Sequence, residues 1–388
     1  MQVTQIKDLV NNTLKQIDGE SALLNDDLSN TVDIGNEIFN KDNVDNYVHK
    51  LIDRIGQTVF NNRQYQGSAP SVLMTAWEFG SVLEKIDSEL PDSEVNDSWN
   101  LQDGHSYDPN IFYQPKVSAK FYNSRVTFDI PMSFTQRQVK DSFNSAAELN
   151  GFLSALNTSV ANAMTIDIDN LIMKTINNMT GSVLTGTNAM QKVNLLALYN
   201  KQSGKSLKAA GALIDPDFIK FANLYINTTR SRLTKISTLF NAGGKKRFTP
   251  ITEQHLVLLA DLANASKVYL ESNTYHDNNV QLDDYETVPY WQGTGKDYGF
   301  DSTSAIDVTV KAGSGTKVVK QSGILGVLFD TQALGVACSN QRVTTNYNPK
   351  AEFYTNFNKY DATYFNDLNE NYIVFYLADT TTTQPAGK

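Results

Sequence analysis

Four histidines, one cysteine and a few glycine-lysine clusters are the residues of this 388-residue chain whose types could carry chemistry. Metal ligation or proton transfer would fall to His49, His105, His255 and His276. They are scattered and lie next to no carboxylate or cysteine at metal-ligand spacing, so each reads as a surface or core histidine rather than a ligand. Cys338 lies in the apolar run ALGVACS and reads as a small buried hydrophobe rather than a nucleophile. A single cysteine also excludes an internal disulfide. QSGKS at 202–206 ends like a phosphate-binding loop, but the glycine that pattern needs five residues before Gly204 is Tyr199. GTGKD at 293–297 fails likewise, with Tyr290 in the first glycine's place and Asp297 after the lysine. The loop NAGGKKRF, with Lys245 to Arg247, could touch a phosphate backbone, and a solvated turn is the plainer reading. Asp167 and Asp169 are two apart on a helix and do not face each other, which makes a poor acid/base pair. No catalytic, cofactor-binding or metal-ligating set emerges, and enzymatic function is not expected.

Composition points to a folded protein. The chain is 40% hydrophobic and 19% charged, outside the range of a disordered polymer. No apolar run approaches the length of a membrane span, and the start, MQVTQIKDLVNNTLKQ, lacks the pattern of an export signal. The net charge of −9 is unevenly spread: residues 1–110 carry 19 acids and 7 bases, the remainder 23 acids and 26 bases. That asymmetry suits head-to-tail contact between copies, or simply a solvated acidic surface. It offers no concentrated basic patch for sequence-specific nucleic-acid binding.

The elements follow from periodicity. Ile6, Leu9, Val10, Leu14 and Ile17 trace one short helix. Val44, Val48, Leu51, Ile52, Ile55 and Val59 trace a second, with Asp42 or Asn43 as its cap. Residues 61–116 are loop-rich and polar. The run KVSAKFYNSRVTFDI then alternates as a β-hairpin, with Asn123-Ser124 as its turn, and reads as an arm reaching away from the body. Two capping boxes, Thr135-x-x-Gln138 and Ser145-x-x-Glu148, introduce a long apolar stripe from Leu149 to Ile176. This predicts a spine helix of roughly 45 Å at 1.5 Å per residue. Gly151 within it costs about 1 kcal/mol against alanine.

Beyond it, NLLALYN, PDFIKFANLYINT and RLTKISTLF read as helical, TEQHLVLLAD as a buried strand and SAIDVTVKAGSGTKVVK as an edge hairpin. The closing segment is dense in rings, from Phe353 and Tyr354 to Phe375 and Tyr376. In its last strand Tyr372, Val374 and Tyr376 alternate with Ile373, Phe375 and Leu377, so both faces must be covered. Residues 380–388 have the composition of a mobile tail.

This order of elements resembles the major capsid proteins of tailed bacteriophages, which share the Hong Kong 97-like fold. FTQRQVKDSFNSAAELNGFLSAL is similar to the family's passage from E-loop to spine helix. TEQHLVLLADLANASKVYLESNTYH, VPYWQGTG and the segment from Ile324 to Leu377 resemble its A-domain strand and P-domain return. Asp330, Ala333 and Leu334 fill the family's D-x-x-A slot, followed by Val343 and Phe353, and LIDRIG at 51–56 is similar to capsid proteins of short-tailed phages. The resemblance implies an α+β fold divided as N-terminal arm 1–62, E-loop 63–134, spine helix 135–184, A-domain 185–322 and closing P-domain strands with tail 323–388.

It also implies pentamers and hexamers in an icosahedral shell around double-stranded DNA that is contacted weakly and without sequence preference. Further implications are a separate scaffolding protein, a portal protein at one vertex, location in the virion and assembly in the host bacterial cytoplasm. No cofactor and no membrane partner are implied. Some members crosslink a hairpin-arm lysine to a neighbour's asparagine. Neither Lys116 nor Lys120 matches the reacting position, and no crosslink is assigned. Bacterial nanocompartments share the architecture. The competing reading is a receptor- or carbohydrate-binding surface protein of a phage or cell. The Asn, Thr and Tyr content of the second half favours it; the lack of β-repeats or coiled coil does not.

Overall fold

The structure, a computed structural model, describes Asn11 and residues 63–74, 82–91, 93–135, 146–273, 282, 284–291, 304–312 and 315–379. The two N-terminal helices expected around Ile6–Ile17 and Val44–Val59 lie outside the described residues, as do Gln138, Ser145, His49, His276, GTGKD and the tail. The chain divides into two compact units, one of Met1–Arg63 with Asn150–Ala155, the other of Gln64–Leu149 and Leu156–Lys388.

In chain order the elements are β1 (Leu83–Ser88), β2 (Val117–Tyr122), β3 (Arg125–Thr135), α1 (Ala146–Thr185), β4 (Lys192–Asn194), α2 (Leu195–Ser203), α3 (Pro216–Leu233), β5 (Gln254–Leu259), α4 (Ala260–Asn273), β6 (Glu286–Val288), β7 (Ala305–Ala312), β8 (Gly315–Ser322), β9 (Ile324–Asp330), β10 (Leu334–Asn348), β11 (Phe353–Asn366) and β12 (Tyr372–Tyr376). The spine helix α1 runs 40 residues, about 60 Å at 1.5 Å per residue, longer than the apolar stripe alone predicts. α3 shows how local chemistry sets a boundary: the Asp215 carboxylate accepts from the Asp217 and Phe218 amides, and Pro216 occupies the first turn, where no amide hydrogen is needed.

A five-stranded mixed sheet in the order β4-β12-β9-β5-β6 forms the centre. One face, with Val257, Val327, Phe329, Tyr372 and Val374, packs in the same core as Ile172, Ile176, Met179 and Val183 of α1. The other face, with Leu256, Leu258, Leu328, Ile373 and Phe375, packs with Leu195 and Leu196 of α2 and Phe218, Ile219 and Ile226 of α3. The two-sided apolar pattern of β12 is therefore two cores sharing one strand. Phe329 stacks between His255 and Tyr372, with centroids 5.4 Å apart on each side. The Tyr372 hydroxyl is 2.9 Å from Thr180 Oγ1 on α1.

The expected hairpin of Ala305–Ser322 forms as β7 and β8, a separate two-stranded sheet. β7 lays Val308 and Val310 against α1 at Gly181, where a Cβ would stand 2.5 Å from Val308 Cγ2 and 3.1 Å from Val310 Cγ1. The close approach requires glycine there despite its helix cost.

Three expectations are corrected. Val117–Tyr122 and Arg125–Ile130 are strands, but they do not pair with each other. β2 pairs with β1, and β3 pairs with β11 over the register Arg125↔Thr363 to Thr135↔Phe353 in a long sheet ordered β10-β11-β3. Alternation fixes which residues share a face and says nothing about which strand lies alongside. Asn123-Ser124 is the crossing between two sheets, pinned by the Tyr364 amide donating to Ser124 O at 3.1 Å. Thr135, expected to cap a helix, ends β3 instead. RLTKISTLF is helical only at Arg232 and Leu233. After the Thr234 cap, Ser237 bridges Arg247 with reciprocal amide bonds of 2.9 Å. Ile236 and Leu239 remain exposed, so a continued helix would gain no packing there.

Candidate assembly surface

The ribbon β1–β2 and its long connecting loop form the part of the described fold whose surface chemistry is unlike that of a finished exterior. Side chains alternate across a strand. One face of the ribbon therefore carries Ile86, Val117 and Phe121, all exposed, with Phe121 at 65%. The opposite face carries Lys85, Asp87, Lys120 and Tyr122, all partly buried against the body. Charge is concentrated on the inner face, which also carries Leu83, and exposed hydrocarbon on the outer face, which also carries Glu84. The loop continues the theme, with Val95, Ile111 and Phe112 exposed and Trp99 at 93%. Asn96 caps the short turn Asp97–Trp99 by accepting from the Ser98 amide at 2.8 Å, so Trp99 is held out on structured backbone. Exposed large apolar groups concentrated in one stretch of chain suit a contact surface.

The inner face is bound by a line of alternating charges. Lys120 Nζ is 2.9 Å from Asp367 Oδ1, and Lys85 Nζ is 3.1 Å from Asp367 Oδ2. Lys85 also reaches Glu370 Oε1 at 2.6 Å and the Gln332 carbonyl at 3.3 Å. Arg247 joins Glu370 Oε2 at 3.1 Å through Nε and Asp87 Oδ2 through its terminal nitrogen. Lys245 pairs with Glu89 just beyond. Asp367 is 2% exposed at its side chain, and the Asn369 amide also donates to it at 3.0 Å.

Burial alone would raise the Asp367 carboxyl. The bond from Lys120, the Asn369 amide and the Lys85 charge outweigh it and hold the group below the usual carboxylate range. The Arg247 hydrogen bond holds Asp87 down in the same way. Burial beside Asp367 pushes the Tyr122 hydroxyl well up. These groups are charged or neutral in the states their neighbours require, and they make a clasp rather than an acid/base pair.

A cleft of about 1290 Å³ opens beside the clasp. Leu90, Phe112 and Tyr113 from the loop line one wall and Lys245, Lys246 and Arg247 the other. The Lys245–Arg247 loop, read from sequence as a solvated turn, is thus the body's docking point for the ribbon. Sequence reasoning did not find Lys85, Asp87, Asp367 or Glu370. They lie in two stretches about 280 positions apart, and nothing local distinguishes them from solvated charges.

Gly204 of QSGKS is the left-handed cap of α2, and Lys205 pairs with Asp217 at 2.9 Å, a helix end rather than a phosphate cradle. Asp167 accepts from the Tyr360 hydroxyl at 3.2 Å, whereas Asp169 accepts from the Tyr65 hydroxyl and the Ser68 amide, so the two are not brought together. Cys338 is half-buried in β10, and burial pushes its thiol up. His105 stands edge-on to Tyr107. Among the described residues no group of three or more His, Cys, Asp or Glu could hold a metal, and no helix is long and apolar enough to cross a membrane.

Comparison with known proteins follows the same direction. The model of the family described as Phi29-like phage major capsid protein matches residues 6–376. The major capsid protein of Bacillus phage GA-1 is 24% identical over 123 residues, 31% of this chain and 25% of that protein. The match thus spans about a quarter of the curated relative's length. Among solved structures, a chain from the capsid of Staphylococcus phage Andhra superposes with a TM-score of 0.58 at 10% identity, covering 84% of this chain and 87% of that one. A chain from the head fiber and inner core protein gp22 structure of native bacteriophage P68 gives 0.57 at 10% identity, covering 83% and 87%. At these identities the likeness shows the fold, and that fold is the α+β Hong Kong 97-like capsid architecture.

Proposed function

Because the chain belongs to the Phi29-like phage major capsid protein family, we propose that it is the subunit of an icosahedral shell, closed from pentamers and hexamers and enclosing double-stranded DNA. The observation that carries the reading is the ribbon with its apolar face turned outward, Ile86, Val117 and Phe121 being exposed while charged residues face the body. An element built this way is completed by a second copy. Contacts between unlike patches of identical subunits close into rings, and rings tile a shell. The division of the chain follows the family order: arm 1–62, E-loop 63–134, spine 135–184, A-domain 185–322 and closing strands 323–388.

The chain acts through geometry rather than catalysis. A separate scaffolding protein and a portal protein at one vertex are its partners, and the packaged DNA is touched weakly through its phosphates. Assembly takes place in the host cytoplasm, and the product resides in the virion. The test is electron microscopy with light scattering on the protein expressed alone and with the scaffolding protein. Closed shells or shell fragments support the reading. A monomer or trimer at every salt and concentration, with and without that partner, overturns it.

A further inference from the structure

We infer that the ion cluster at the ribbon's root is a positioning device for assembly, in which Lys85, Asp87 and Lys120 of the ribbon, gripped by Arg247, Asp367 and Glu370 of the body, fix the direction in which the apolar outer face meets a second copy. The inference rests on the shell reading above and adds the residues that aim the arm.

A two-stranded ribbon is marginal on its own, so its pose is set by what holds it. Leu83 and the Tyr122 ring, 5.3 Å from Phe365, also face the body, but hydrophobic attachment is non-directional and does not set the pose. What remains is a line of alternating charge: Lys120, Asp367, Lys85, Glu370, Arg247, Asp87. Each of the four inner members joins two partners, so a small displacement at one junction breaks contacts at the next. A slip of one residue would turn Ile86 and Phe121 onto Asp367 and Glu370, which are 2% and 7% exposed at their side chains, and leave buried carboxylates unpaired. One pose satisfies the line. Buried charge of this kind contributes register more than net stability.

The clasp also crosses the chain's own order. Its body residues come from the 245–247 loop and from the turn between β11 and β12. That turn is tied to the loop by the Ala242 amide donating to Leu368 O at 3.0 Å and the Tyr372 amide donating to Phe240 O at 3.0 Å. The turn leads directly into buried β12. The ribbon is therefore held by a turn continuous with the buried central sheet, and Arg247 is the positioning residue that spans the ribbon's carboxylate and the body's.

The experiment compares the full chain with Arg247→Lys, Arg247→Met and Asp87→Asn. Hydrogen exchange over residues 83–88 and 117–122 is read in the unassembled protein, and shell yield and shape by microscopy. Arg247→Met should lower ribbon protection and the yield of closed shells each by roughly tenfold, Asp87→Asn by less, with Arg247→Lys recovering part of both. Asp87→Asn, at the edge of the clasp, keeps the test decisive should Arg247→Met fail to fold. Unchanged ribbon protection in Asp87→Asn and Arg247→Met overturns the inference. So does lost protection with shells of normal yield and shape. If the unaltered chain forms no shell under any condition, the shell reading fails and the aiming function with it, whatever the ribbon's exchange shows.

Discussion

Lys85 and Lys120 stand directly opposite each other across β1 and β2, and one carboxylate, Asp367, lies between them with an oxygen on each ammonium at 3.1 and 2.9 Å. Like charges facing across an antiparallel pair repel. The ribbon's register is tolerable because Asp367, 247 positions from Lys120, and Glu370, 2.6 Å from Lys85, supply the counter-charge.

Asp367→Asn should therefore cost more than a surface charge. The side chain is buried, and Lys120 would lose its carboxylate while Lys85 kept only Glu370, so a loss of about 3 kcal/mol is expected, the lower end for breaking a buried pair. Lys120→Met should cost well under that, about 1 kcal/mol or less, because the lysine is 41% exposed. Urea unfolding of the unassembled variants measures both, and equal losses would contradict the ordering.

The clasp should loosen in acid. Arg247 holds Asp87 below the usual carboxylate range. Asp367, raised by burial, is brought below it by Lys120, the Asn369 amide and Lys85. A carboxyl depressed in the folded state contributes stability that is fully present above the unfolded value of about 4 and is lost as pH falls through the folded value. Ribbon amide protection should stay constant from neutrality down to about pH 4 and fall below it. Asp367→Asn should flatten much of that dependence. Protection that instead changes between pH 6 and 8 would assign the titration to other groups.

Much of the fold is legible in the sequence because its strongest signals are local. The stripe of α1, the helical run PDFIKFANLYINT and the two-sided hydrophobicity of β12 each need only neighbouring residues to be read, and each is found where expected. Strand pairing is not local. Val117–Ile130 alternates as well for a hairpin as for two strands in different sheets, and β3 takes β11, more than two hundred residues on. The clasp is the extreme case. Lys85, Arg247 and Glu370 have no pattern in common until β11 and β12 bring Asp367 and Glu370 beside the ribbon.

Gly181 is a further dependence that no periodicity shows. Alanine there gains about 1 kcal/mol of helix propensity, but its Cβ would meet Val308 Cγ2 at 2.5 Å. β7 would have to move, and the net effect should be a loss of about 1–3 kcal/mol, as for other overpacked cores. Val308→Ala in the same chain should recover most of it, measured as the shift in thermal midpoint. Gly181→Ala alone raising the midpoint would mean that β7 yields at no cost.

Trp99 and Phe121 give the sharpest separation of folding from assembly. Both are exposed, at 93% and 65%, so Trp99→Ser and Phe121→Ser should leave the unassembled chain within about 0.5 kcal/mol of its original stability. In an interface, a buried aromatic of this size typically contributes 2 kcal/mol or more, and a loss of about 2 kcal/mol per contact would raise the concentration needed for assembly some thirtyfold. Phe121 lies on the ribbon itself, where the clasp fixes its direction, whereas Trp99 sits on the loop beyond. If the clasp aims the ribbon, Phe121→Ser and Arg247→Met should be less than additive in their effect on assembly, because a ribbon that is no longer aimed cannot lose the same contact twice. Light-scattering titrations of the two single variants and the double variant read that coupling. Fully additive losses would mean that the apolar face and the clasp act independently.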